Sequence, residues 1–212
     1  MKIRTMTAAV AAGLTLTMIS QAGPAGAQAQ KSRGTTSLAK VLAADGAGYD
    51  RNWSDYDILD KAVTTVLAAK PDSPVAVLAD GKVALTAFLP KDVAFRRLVL
   101  DLTGRKLSKE KSVFKALTKA ADVDTLEAVL LYHVVPGATI TYRQAQKANG
   151  ATLETALTDA DIRVKVRRGS VHLRDNDPND RDPLVIPSSS DINKGNRQIA
   201  HGINRVLRPL DL

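Results

Sequence analysis

Two periodicities divide this chain, and together they decide its fold class. In the first half apolar residues return every three or four positions. Ile58, Leu59, Ala62, Val63, Val66 and Leu67 make one such face. Asp55 is placed to cap it and Pro71 to stop it. The same spacing predicts a helix from Pro90 through Val93, Ala94, Phe95, Leu98 and Leu102 to Gly104, and one from Ser108 carrying Val113 and Leu117. A further helix opens at Asp124, carries Leu126, Val129, Leu130 and His133, and closes at Pro136-Gly137. A short helix over Ser37–Ala44, capped by Ser37, precedes them. In the second half the period falls to two. Thr152–Leu157, Ile162–Val166 and Val171–Leu173 alternate as half-buried strands, with Arg168-Gly169 as the turn. Further strands are expected at Ala138–Thr141, Leu184–Ile186, Gln198–His201 and Ile203–Leu207, and a short helix at Tyr142–Ala148. Val75–Leu78 and Val83–Phe88 flank Asp80-Gly81, which reads as a hairpin. Helices first and strands after them describe one α+β domain.

Composition narrows the chemistry. The chain has no cysteine, so disulfides, zinc–thiolate sites, iron–sulfur clusters and cysteine nucleophiles are excluded, and three histidines leave little room for a His-rich metal site. Lys2 and Arg4, the uncharged run Thr7–Ile19 and the small residues Ala25-Gly26-Ala27 together read as a secretory signal peptide over residues 1–27. The apolar run falls short of the roughly 20 residues that span a bilayer, so no membrane span is expected. Residues 28–48 read as an N-terminal extension, polar and unstructured to Thr36, and 49–212 as the folded domain. A secreted chain without disulfides must draw its stability from a hydrophobic core, which this length permits.

Three segments carry a family resemblance. Leu85-Thr86-Ala87-Phe88-Leu89-Pro90-Lys91-Asp92-Val93-Ala94-Phe95 resembles the first signature box of the fasciclin domain. Leu130–Gly137 resembles its central Tyr-His segment, and Gln198–Leu207 its second box, in family order and at plausible spacing. Lys91 stands where Thr or Ser is usual, Asn204 where Asp is usual, and the acidic loop near Asp175 is longer than expected. The resemblance implies a wedge-shaped α+β fold, a twisted β-sandwich with a helical layer. It also implies a secreted or cell-surface protein of adhesion or matrix binding, with no catalysis and no cofactor. The partner would be an extracellular protein or a cell-envelope polysaccharide.

The candidate site residues are few. Tyr132 and His133 are the partner-contact candidates that the resemblance suggests, weighed against a buried imidazole bonded to backbone or hydroxyl. Asp175, Asp177, Asp180 and Asp182 offer hard oxygen ligands for Ca²⁺. They lack the EF-hand glycine and distal glutamate, and the plainer reading is a solvated, turn-rich loop held by Arg174, Arg181 and Asx turns. No metal is assigned. Asp122, Asp124 and Glu127 suit a helix start better than a catalytic pair. No nucleophile elbow, zincin motif or P-loop is present. Thirty basic against 22 acidic residues give a net charge of +8. Arg163, Lys165 and Arg167 share a strand face, without the exposed aromatics that specific nucleic-acid binding would use. Weak attraction to anionic polymers is the sharper reading of that charge. The alternative to adhesion is therefore a secreted Ca²⁺- or polyanion-binding module.

Overall fold

Ser37 accepts a hydrogen bond from the Lys40 N–H and opens helix α1 (Leu38–Ala43), whose Leu38 is fully buried. The computed structural model describes residues 33–44, 46 and 48–210; the signal peptide expected at 1–27 and residues 28–32 lie outside them. Residues 33–36, expected to be unstructured, are bonded to the C-terminal half. The Gly34 N–H donates to Gly195 O at 2.9 Å, and that of Thr36 to Asn196 Oδ1 at 3.0 Å.

Helix α2 (Asp57–Ala69) buries Ile58, Leu59, Ala62, Val63 and Val66, as their spacing predicts. Tyr56, not Asp55, occupies its N-cap. The expected hairpin arm Val75–Leu78 is instead a 3-10 turn, Pro74–Ala79. Ser73 caps it through the Val75 N–H, Pro74 supplies a pre-set φ, and Val75 and Leu78 bury one three-residue face. Four apolar residues in a row do not reveal their period, which is why the run looked like a strand.

Strand β1 (Leu85–Pro90) follows, buried along its whole length. Pro90 ends this strand opposite Ile203 rather than starting a helix, and α3 (Asp92–Thr103) begins two residues later. Gly104, at φ 66°, closes α3 in the left-handed conformation that a helix C-cap favours. Helix α4 (Glu110–Ala120) and α5 (Val123–Tyr132) complete the helical layer, α5 capped by Asp122 through the Thr125 N–H. His133 is the C-cap of α5, and the chain turns there into β2 (Val134–Pro136).

Residues 138–141 form a connection, not a strand. The Thr86 hydroxyl donates to Ala138 O and accepts from the Ile140 N–H, taking the place of a strand neighbour. A capping box of Thr141 and Gln144 opens α6 (Tyr142–Ala145). Strands β3 (Thr152–Glu154), β4 (Asp161–Arg167) and β5 (Ser170–Arg174) make one antiparallel sheet, with Arg168 and Gly169 both at positive φ in the β4–β5 turn. Strand β6 (Gln198–Ile203) returns to lie parallel to β1, giving the second sheet its order β2-β1-β6. Residues 204–207 leave the sheet. Leu184 and Val185 make only isolated bridges, to His172 and Ile203.

Two apolar cores meet at β1. Leu85, Ala87 and Leu89 face the helices, while Phe88 faces a second core formed with Tyr132 of α5 and with Ile162, Val164, Leu173 and Ile203 from both sheets. The pleat puts alternate residues on opposite faces, so one strand serves both cores.

Candidate functional site

A polar recess lies beside the β4–β5 hairpin. It has a volume of about 660 Å³ and is lined by Arg97, Arg167, His172, Asp180, Arg181 and Arg205, among others. Helix α3 supplies Arg97, whose Nη1 donates to Asn204 O at 2.7 Å. Arg167 comes from the end of β4 and His172 from β5. Arg205 stands just beyond β6 and donates to Asp180 Oδ1 at 2.6 Å. Four guanidiniums against Asp180 and Asp182 leave the recess cationic. The planar fork of a guanidinium matches carboxylate, sulfate and phosphate groups. Of the strand-face group read from the sequence, the cleft takes Arg167; Arg97 and Arg205 join it only through tertiary contact.

The acidic loop is ordered, but by other arginines than expected. Arg208, 6% exposed, donates Nη1 to Asp177 Oδ2 at 3.0 Å and Nη2 to Asp101 Oδ2 at 2.8 Å. Arg205 binds Asp180, while Arg174 and Arg181 are exposed. Asp177 Oδ1 accepts from the N–H groups of Asn179 and Asp180, and Asp175 from those of Asp177 and Arg208, so Asx turns do contribute. Asp177 is thus spent on a guanidinium and on backbone, and burial pushes Asp175 up to about 6. Asp182, the fourth member, lines the cleft. Among the described residues, the carboxylate groupings close enough to share an ion lie elsewhere.

Tyr132 and His133 lie inside the domain, 0% and 4% exposed. The Tyr132 hydroxyl donates to Asp161 O at 2.7 Å, tying α5 to the sheet of β3, β4 and β5. His133 Nδ1 lies 2.7 Å from Val129 O, and Nε2 accepts from the Leu207 N–H at 3.0 Å. This pattern requires the neutral Nδ1–H tautomer. Burial lowers the His133 pKa to about 4, against the pull of the Val129 carbonyl. His201 repeats the arrangement: Nε2 meets Ile140 O at 2.8 Å and Nδ1 accepts from the Asp191 N–H at 3.2 Å. Its pKa is likewise lowered by burial.

The model of the Fasciclin domain matches residues 61–209. The chain belongs to the fasciclin domain family. Among solved structures it is similar to the FAS1 domain pair of the insect cell adhesion molecule fasciclin I, at 19% identity and a TM-score of 0.52. The match covers 82% of this chain and 51% of that one, so this chain spans about half the length of the domain pair. No curated protein shows a significant match. In this fasciclin domain the first box supplies β1 and the start of α3, and the second supplies β6. The Tyr-His segment closes α5. Their aromatic and imidazole side chains are interior supports.

Proposed function

We propose that this fasciclin domain is a secreted, non-catalytic binding module that works at a cell surface or in the extracellular matrix. Its family supports the setting, since fasciclin domains generally occur in cell-adhesion and extracellular proteins. The leader-like residues 1–27 agree with export. Among the described residues no helix is long and apolar enough to cross a membrane. The observation that carries the binding reading is the cleft, a recess rimmed by guanidiniums. Such a lining attracts and holds anions. His133 and His201 have both ring nitrogens committed to backbone and offer no base to a substrate.

A polyanionic polymer, such as an acidic cell-envelope polysaccharide, is the partner this lining favours over an apolar protein surface. The test is capture of cell-envelope material by the wild-type protein and by Arg167→Glu/Arg181→Glu. Wild-type protein should retain an acidic polysaccharide and release it at about 0.5 M salt, where screening shortens to a few ångströms. The charge-reversed protein should lose it while keeping its melting temperature. Capture of a protein, unaffected by the double substitution, would keep the adhesive role and remove the polyanion. Capture of nothing from the envelope would refute both.

A further inference from the structure

Helices α2, α3 and α4 each begin on a carboxylate: Asp57, Asp92 and Glu110. An acid in the first turn offsets the helix dipole, and any one of these alone would need no further account. These three converge. One oxygen from each lies within 4.8 Å of the others, and the residues are 8%, 0% and 1% exposed. Asp57 also belongs to a second grouping of the same closeness, with Asp50 and Asp55.

Two members each have one oxygen engaged. Asp92 Oδ1 accepts from the Ile58 N–H at 3.0 Å, and Glu110 Oε2 from the Asp50 N–H at 2.7 Å. These bonds fix both carboxylates in place. Their other oxygens, Asp92 Oδ2 and Glu110 Oε1, are buried without a hydrogen-bond partner. The ion pairs among the described residues involve neither group. Buried carboxylates are normally paired with a cation or coordinate a metal. Two oxygens on opposite sides of a Ca²⁺, at its usual bond length, are about 5 Å apart, so the observed spacing is one that a shared ion permits.

We propose that this cluster is a divalent-cation site suited to Ca²⁺, with Asp57, Asp92 and Glu110 as its inner ligands, the buried Asp55 beside them and Asp50 on its solvent side. The exposed Asp50 marks the way in. Ca²⁺ fits better than Mg²⁺, which keeps most of its waters and seldom takes so many protein carboxylates. A bound ion would join the starts of three helices and neutralise the two unpartnered oxygens. Without it, burial together with the Asp55 and Glu110 charges pushes Asp92 up to about 8, so a proton is the competing occupant.

The test is calorimetric titration of the chelator-treated full chain with Ca²⁺ and with Mg²⁺, followed by melting. Terbium luminescence gives a second readout, since Tyr49 lies in the field of the cluster. One Ca²⁺ should bind with a dissociation constant no weaker than about 1 mM, the range of extracellular modules. The melting temperature should rise with ligand concentration as linkage requires. Glu110→Gln, which can still accept from Asp50, should weaken binding roughly tenfold or more, since affinity follows the count of charged ligands. Asp92→Asn, which can still accept from Ile58, should do the same, and Asp182→Asn in the acidic loop should change nothing. Absence of heat, luminescence and thermal shift in the wild type would overturn the proposal. So would an affinity unchanged in both cluster variants, or one lost in Asp182→Asn.

Discussion

The imidazole of His133 carries a consequence that solution pH can reveal. Its acceptance from the Leu207 N–H holds only while the ring is neutral, whereas its Nδ1–H donation to Val129 O survives protonation. Burial lowers its folded pKa from 6.5 to about 4. Between those values the unfolded chain takes a proton that the folded one refuses. The contribution of His133 is therefore complete above about pH 6.5 and declines as pH falls toward 4, by roughly 3 kcal/mol in all. Asp175, pushed up to about 6 by burial, works in the opposite direction. The difference between wild type and His133→Ala isolates the histidine. Denaturant titrations should show His133→Ala less stable by about 1–3 kcal/mol near neutrality, because two buried backbone groups lose their partner. The gap should narrow or reverse near pH 4, and a gap constant with pH would refute the assignment. The Tyr-His pair was legible in the sequence as a feature. Its direction was not, because a helical period cannot say which residue turns inward at a C-cap.

At the scale of elements, close approaches were the hardest thing to read. Asp80-Gly81 looked like a hairpin turn, yet Gly81 serves to let another backbone in. A Cβ there would stand 1.8 Å from Thr35 O. Nothing local in the sequence records that Thr35 passes over Gly81. The acidic loop shows the same blindness: its Asx turns follow from local composition, but Arg205 and Arg208 arrive from a distant segment. Arg208 now stands against an interior carboxylate, with Asp177 3% exposed. Arg208→Ala should cost about 3–5 kcal/mol, because it strands a buried charge. Arg174→Ala should cost almost nothing, since Arg174 lies on the surface. Equal losses in the two variants, measured by urea unfolding, would contradict this division of labour.

Across the whole molecule the α+β order, the two hairpin strands β4 and β5, and the run of helices were legible, because each rests on a period. Topology was not, since a parallel β1–β6 pair leaves no local mark. That pairing makes β1 the common wall of both cores. Phe88→Ala should lose about 3–5 kcal/mol as a core truncation. Damage on one side of a shared strand should be felt on the other. Trp53 fluorescence, on the helical side, and far-ultraviolet dichroism should shift to lower denaturant together. Separate transitions would show that the two cores melt independently.

The late arrival of β6 also sets the order of events when the chain is made. Gln198 donates to Val77 O, 121 residues earlier, and accepts from the Leu38 N–H near the start of the described chain. The β1–β6 ladder, both flanks of Gln198 and the pairing of Arg205 and Arg208 with the acidic loop all wait until residues 198–208 have left the ribosome. Until then β1 lacks its longest neighbour, and the nascent chain has no finished core to lock into. Contacts of such long range are slow to form because a large loop must close first. If the chain is exported unfolded, as the secretion proposed above requires, that delay keeps it pliable during transit and lets it set on the far side.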